Sequence, residues 1–340
     1  MPDGGSALTG VSVVDYHTAG EPFRIVTGGV PELEGGTVLD RRSFASSRLD
    51  DVRQLLVNEP RGHADMYGCF ITSPDDEQGD LGVVFFHKDG YSTACGHGTI
   101  AVVTWAIESG LIEGEGPQRR VVVDVPSGRL ETMATVDDGR VRSVAFTNVP
   151  SYVSGYQIPV QLSQGVVGVD VAYGGAYYAA VAAVDLDTSV APRNVPRFIA
   201  IGREIKQVLE HSPVVAHPYE PRLSGLYGTV FYEHVAGDAS GLHQRNVTIF
   251  ADGEVDRSPC GSGTSARLAL LDSSAALQRG AILTHESVIG TTFTGSVIGD
   301  AQVAGVHGVV TQVRGSAFRT GSAVFTLDPE DPIGLGFQLR

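Results

Sequence analysis

Three cysteines, three methionines and a single tryptophan are all that 340 residues contain of these types. So few thiols cannot build a disulfide framework, and in a reducing compartment they are expected to be free. Basic residues are also short, 24 Lys and Arg against 39 Asp and Glu, and the net charge of −15 argues against nucleic acid or an anionic membrane as a partner. No stretch of about 18 residues is apolar throughout, as a membrane span would require. The amino-terminal Met1-Pro2-Asp3-Gly4-Gly5-Ser6 lacks the basic and apolar regions of a signal peptide, so a cytoplasmic location is expected. There is no low-complexity linker and no heptad run. What remains is ordinary globular material: 42% hydrophobic and 19% charged residues, in a chain long enough for two full cores. The 43 glycines suit many short strands joined by tight turns.

Two of the three cysteines sit in copies of one motif. Tyr91-Ser92-Thr93-Ala94-Cys95-Gly96-His97-Gly98-Thr99 aligns with Asp256-Arg257-Ser258-Pro259-Cys260-Gly261-Ser262-Gly263-Thr264, 165 positions further on. Upstream, the Asp15–Phe23 segment aligns without gaps with Asp170–Tyr178 at an offset of 155, and Met66-Tyr67-Gly68 with Leu226-Tyr227-Gly228 at 160. The offset drifts upward as loop insertions in a second copy would make it do. Turn chemistry explains recurrent Gly and Asp, but not matched cysteines in matched order. The chain is therefore expected to be two copies of one α/β unit, with any active site between them. The first half is set at residues 8–154, with 325–340 as a candidate return to it, and the second at 155–324.

Strand signals dominate, as in Val11–Asp15, Phe23–Val26, Gly82–Phe86 and Arg120–Val125. Ser46–Val57 and Pro196–Glu210 have the apolar spacing of amphipathic helices. Thr99–Ile107 is almost continuously apolar and predicts a helix buried inside its domain, with Ser265–Leu277 as its partner in the second half.

A cysteine followed by Gly-x-Gly-Thr at a helix start stands where free amides and the helix dipole favour a thiolate. The amide clusters at Gly96-His97-Gly98 and Gly261-Ser262-Gly263 suit a small carboxylate. A carboxylate held between them would bring its α-carbon beside both sulfurs. One thiolate could then remove the α-proton while the opposite thiol returns one, the amides stabilising the enediolate. Asp256 is placed to hold an ammonium or imino nitrogen, and neutral His97 to add a hydrogen bond. Cys69, in a strand-like run, is expected to be inert packing. Cys95-x-His97 is a poor zinc signature, and Ser262 replaces the histidine in the second copy, so no metal is expected. His17 and His63 fit a turn hydrogen bonder as well as a substrate contact. Phe70, Tyr91 and Tyr227 are aromatics near the motifs, assigned to core rather than to contact.

From about Val11 to its C-terminus the sequence resembles the proline racemase superfamily, on the strength of Cys95-Gly96-His97-Gly98 and Asp256-Arg257-Ser258-Pro259-Cys260-Gly261-Ser262-Gly263-Thr264. The resemblance implies a diaminopimelate-epimerase-like α/β (α+β) fold, with two pseudo-symmetric domains each wrapped around a central helix and the site in the cleft. It implies Cys95 and Cys260 as the acid/base pair; Gly96, His97, Gly261 and Ser262 at the substrate carboxylate; Asp256 at the ring nitrogen; no cofactor; a proline or hydroxyproline as substrate; and a homodimer. Asn58–Gly68 and Asp89–Thr93 look most like the trans-3-hydroxy-L-proline dehydratases, which usually carry threonine where this chain has Cys260. A threonine hydroxyl is a poor acid for reprotonating a carbanion, whereas a second thiol permits inversion. Racemase or epimerase is thus the first expectation, with dehydratase the alternative and a non-catalytic amino-acid-binding protein the third.

Overall fold

The computed structural model describes residues 10–236 and 241–339. Met1–Ser6, residue 8 at the start of the first half, and Arg340 lie outside the described residues. The first half runs β1 (Val11–Thr18), β2 (Glu21–Gly28), α1 (Val38–Arg48), α2 (Asp50–Val57), β3 (Tyr67–Thr72), β4 (Leu81–His87), β5 (Gly90–Tyr91), α3 (Gly96–Glu108), β6 (Gln118–Val125), β7 (Gly128–Asp137) and β8 (Arg140–Thr147). The second runs β9 (Ser151–Leu162), β10 (Gly165–Tyr173), β11 (Tyr177–Ala182), α4 (Val195–Leu209), β12 (Leu226–His234), β13 (Gly241–Phe250), β14 (Glu254–Asp256), α5 (Gly261–Ser273), β15 (Ile282–Ser287), β16 (Thr292–Val303) and β17 (Val306–Gly315). A final strand, β18 (Ala317–Phe325), pairs antiparallel with β1. Beyond it the chain reaches Asn58 and Glu59 through Leu335 and Phe337.

The duplication is carried by the strand pairings. In the first half β2–β3 and β4–β6 are parallel while β3–β4 and β4–β5 are antiparallel. The second half repeats this with β11–β12 and β13–β15 parallel, β12–β13 and β13–β14 antiparallel. β8 and β17, equivalent by position, pair with each other and join the halves.

Each half wraps its sheet around one helix. Eleven of the thirteen residues of α3, and eleven of thirteen in α5, are buried; α3 is almost wholly apolar, and α5 buries its Arg267 on Gln244 and the Tyr232 ring. Fully buried side chains such as Ile100, Val102, Val103 and Leu268 each contribute about 1.5–3 kcal/mol through lost apolar surface. Buried hydroxyls in these helices bond back one turn: Thr99 to the Cys95 carbonyl and Thr264 to the Cys260 carbonyl. The amphipathic stretch Ser46–Val57 proves to be parts of two helices. Leu49 leaves the helical region (φ −123°, ψ 15°) and Asp50 and Asp51 start a new first turn, where carboxylates complement the dipole. α1 itself is opened by Thr37 and Asp40, which cap each other's amides.

Candidate active site

The helices α3 and α5 meet tip to tip. A Cβ built on Gly96 would lie 2.5 Å from the Cα of Gly261, and one built on Gly261 would lie 2.6 Å from the Cα of Gly96. Glycine is thus required at both positions by the close approach of two backbones. Tyr67 and Tyr227, equivalent residues of the repeat, also meet, their hydroxyls 2.8 Å apart. Equivalent atoms that touch mark the pseudo-twofold axis, and it runs through a small cavity between the halves. Cys95, Gly96, His97, Asp256, Cys260, Gly261 and Ser262 all line that cavity, together with Ala94, Tyr67, Tyr178, Tyr227 and Phe250.

Both cysteines are N-caps, yet they are held differently. Cys95 is extended (φ −154°), and its Sγ accepts the Gly98 amide at 3.2 Å. Cys260 has φ +63°, a conformation that costs a side-chain-bearing residue about 1–3 kcal/mol. Its amide is tied to Ser258 Oγ at 3.1 Å, and its Sγ lies 3.7 Å from the Tyr178 hydroxyl. The amides of Gly96, His97, Gly261 and Ser262 stand in first helical turns, where no intrahelical acceptor reaches them.

Burial dominates the electrostatics. Both thiols are pushed up by burial, with the Asp256 charge adding to the push and the Gly98 and Gly263 amides opposing it. The helix-end effect expected from the sequence is present at each sulfur, but in the closed cavity it is outweighed. The Cys260 thiolate adds to the push on Cys95 through its charge. Burial pushes the His97 imidazole down to about 3, so it is neutral. Its ring nitrogens lie 3.4 and 3.6 Å from Cys95 Sγ, and Nδ1 is 3.9 Å from Asp256 Oδ2. Asp256 is pushed up to about 6 by burial, held from rising further by the Ser258 amide at 2.8 Å.

The cavity wall carries groups that pattern in the sequence did not assign. Tyr67 hydrogen-bonds Ser92 as well as Tyr227, and Tyr178 bonds Ser262 Oγ at 2.7 Å. Of the three aromatics assigned to core, Tyr227 lines the cavity, while Phe70 and Tyr91 pack beneath α1 and α2. Cys69 is fully buried in a hydrophobic core that spans both halves. His17 accepts the Gly20 amide and stacks on Phe318, and His63 accepts the Asp65 amide, both at turns. Among the described residues, no group of three or more His, Cys, Asp or Glu is arranged to hold a metal ion.

The family model for proline racemase matches residues 13–338. A trans-3-hydroxy-L-proline dehydratase of Bacillus cereus is 44% identical over 328 residues, spanning 96% of this chain and 98% of that protein. A 3-hydroxyproline 2-epimerase of Burkholderia multivorans is 41% identical over 331 residues, spanning 97% and 98%. The crystal structure of a hydroxyproline epimerase from Agrobacterium vitis, with trans-4-hydroxy-L-proline bound, superposes with a TM-score of 0.90 at 32% identity, covering 97% of this chain and 96% of that one. The architecture is the diaminopimelate-epimerase-like one expected from the resemblance.

Proposed function

The chain belongs to the proline racemase family, whose members are racemases, epimerases and dehydratases, and within it we propose that this protein inverts the α-carbon of a hydroxyproline between Cys95 and Cys260. The observation that carries this is the pair of equivalent thiols lining one cavity on a pseudo-twofold axis.

The substrate carboxylate is received by the first-turn amides at Gly96, His97, Gly261 and Ser262, and its ring nitrogen by Asp256. An ammonium beside Asp256 cancels the charge that helps raise both thiols. One sulfur then acts as thiolate and takes the α-proton. The electron pair spreads onto the carboxylate as an enediolate, stabilised by amides already aimed at it. The opposite thiol delivers its proton to the other face, so thiolate and thiol have exchanged places. Neutral His97 contributes a hydrogen bond and no charge.

The tyrosines favour a hydroxylated ring over plain proline. Tyr67, Tyr178 and Tyr227 line the cavity, burial holds all three phenols protonated, and Ser92 extends their network. A hydrocarbon ring would leave such groups without a ligand partner, whereas a ring hydroxyl joins them. The two curated relatives described above are both named for 3-hydroxyproline chemistry.

The same wall supports a second outcome, dehydration of trans-3-hydroxy-L-proline. Cys95 removes the α-proton, the Cα electron pair forms the ring double bond, and the 3-hydroxyl departs as water after taking a proton from the wall. The enamine then tautomerises to the cyclic imine. Incubation of L-proline, trans-4-hydroxy-L-proline and trans-3-hydroxy-L-proline in deuterated water, followed by NMR, tests both. Inversion requires α-deuterium in the epimer and its loss in Cys95→Ser and in Cys260→Ser. Unchanged inversion in both variants ends the proposal.

A further inference from the structure

Outside the cavity, two carboxyl groups of the first half close on the segment that presents Asp256. Glu21, the first residue of β2, is fully buried. Its Oε2 accepts the Arg257 amide at 2.7 Å, and its Oε1 has no hydrogen-bond partner among the described residues. Asp65, in the loop before β3, is 2% exposed. Its Oδ1 accepts the Val255 amide at 3.0 Å and its Oδ2 binds the Arg257 guanidinium at 2.8 Å. The backbone amides on either side of Asp256 are therefore both held across the interdomain gap.

The duplication supplies an internal control. At the offsets that align the halves, Glu21 corresponds to Ala176, Asp65 to Gly225 and Arg257 to Ser92. The clamp exists on one side only, the side whose motif carries an aspartate where the other has Tyr91. Two buried carboxyls, those of Asp65 at 2.8 Å and Glu21 at 3.9 Å, face one guanidinium, an arrangement that apolar packing would replace at lower cost if adhesion were its whole purpose.

The geometry points to Glu21 and Asp65 as positioning residues: by gripping Val255 and Arg257 they fix the Asp256 carboxylate, and four residues on Cys260, against the half that carries Cys95. Burial and the neighbouring Asp256 charge push the Glu21 carboxyl up, and the Arg257 charge and amide oppose the push. Glutamine is its isostere and keeps an oxygen for the Arg257 amide.

The kinetic part of this inference rests on the proposed thiol-pair chemistry; a second readout does not. In the full chain, Glu21→Ala and Asp65→Ala are expected to lower kcat/KM by about 10- to 100-fold, the effect of leaving a buried amide unpaired. Glu21→Gln is expected to restore activity to within about threefold of wild type. Independently, iodoacetamide labelling followed by peptide mapping reads how tightly the gap is shut. Cys95 and Cys260 should react at least tenfold faster in both alanine variants than in wild type or Glu21→Gln, while core Cys69 stays unlabelled. Should Cys69 react too, the alanine variants have unfolded, and Asp65→Asn takes their place. It keeps an acceptor for Val255, loses the ion pair, and should label the two site thiols about fivefold faster. Wild-type labelling rates in folded Glu21→Ala and Asp65→Ala, or in Asp65→Asn, would overturn the clamp. A protein that turns over no proline yet shows the expected labelling pattern defeats the proposed function and leaves the clamp standing.

Discussion

Replacing Asp256 by asparagine should make the protein both less active and more stable. In the closed cavity the Asp256 carboxyl is pushed from 3.8 up to about 6, chiefly by burial. Ionising it in the folded chain therefore costs about 3 kcal/mol, two units and a fraction at about 1.36 kcal/mol each. Asparagine removes that cost while keeping an oxygen for the Ser258 amide and an N–H directed at His97, the neighbour 3.9 Å from Oδ2. Glu21, raised in part by Asp256, relaxes with it. An unfolding entropy of roughly 2 cal/mol/K per residue turns about 3 kcal/mol into a Tm increase near 4 °C for this chain. The sign with pH follows from linkage. A carboxyl whose folded pKa lies above its unfolded one holds more protons when folded between about pH 4 and 6, so its contribution to stability falls as pH rises through that window. The advantage of Asp256→Asn over wild type should accordingly be near zero at pH 4 and complete by pH 7. Comparing the two proteins by scanning calorimetry from pH 4 to 8 cancels the titrating groups that the Asp256 charge does not reach. An asparagine variant no more stable than wild type at pH 7.5, or an advantage independent of pH, would refute the electrostatic reasoning. In turnover the loss of a charged partner for the ring nitrogen should lower kcat/KM by about 100-fold.

Wild-type kcat/KM should fall on the acid side with a midpoint near 6 as Asp256 takes a proton, and the Asp256→Asn profile should lack that limb; a stopped polarimetric assay across pH 4.5–8 reads it. Cys260→Thr should abolish inversion by at least 1000-fold on the scale of lost acid–base catalysis, roughly 10²–10⁴, while retaining imine formation from trans-3-hydroxy-L-proline, both visible by NMR. Gly96→Ala and Gly261→Ala place a methyl 2.5–2.6 Å from the opposing backbone, so each should prise the helix tips apart and cut activity severely, with Cys95 and Cys260 gaining reactivity toward alkylation. Tyr67→Phe should narrow the preference for hydroxyproline over proline by about 10-fold, measured as the ratio of kcat/KM values.

The part of the site legible in the sequence is the part built from local spacing. Cys95 and Cys260 declare themselves because the glycines that follow each are needed locally, one for the approach of the two helix tips and one for room beside the sulfur, and the duplication repeats that need. The first buried helix followed from the nearly continuous apolar run Thr99–Ile107, and the second, which carries Arg267 and Asp272, from its place in the duplication. The break at Leu49 was hidden because Ser46–Val57 keeps its apolar spacing through it, and Asp50–Asp51 reads equally well as a polar face or as a new first turn. Tyr178, Phe250, Glu21 and Asp65 could not be assigned because their partners lie far along the chain, such as Arg257 for Glu21 and Val255 for Asp65. Tyr227 looked like core because an aromatic near a motif is more often packed than presented, and here it is both. One signal was available: Tyr67 and Tyr227 are equivalent residues of the repeat, and equivalents near a pseudo-dyad are the ones able to meet.

The two halves match in thiol and helix-tip glycine, and Tyr91 and Asp256 are among the aligned pairs at which they differ. Tyr91 turns away, its hydroxyl on the Ala45 carbonyl, while Asp256 lines the cavity. Two hydroxyproline epimers differ in configuration at the α-carbon alone, and a scaffold that offers a sulfur from left and right can address the α-hydrogen of either. Under the proposed chemistry, an anchor on one side alone would keep the ring in a single seat while that hydrogen changes sides, so both epimers would share one binding pose and neither would have to leave and turn over before the return journey.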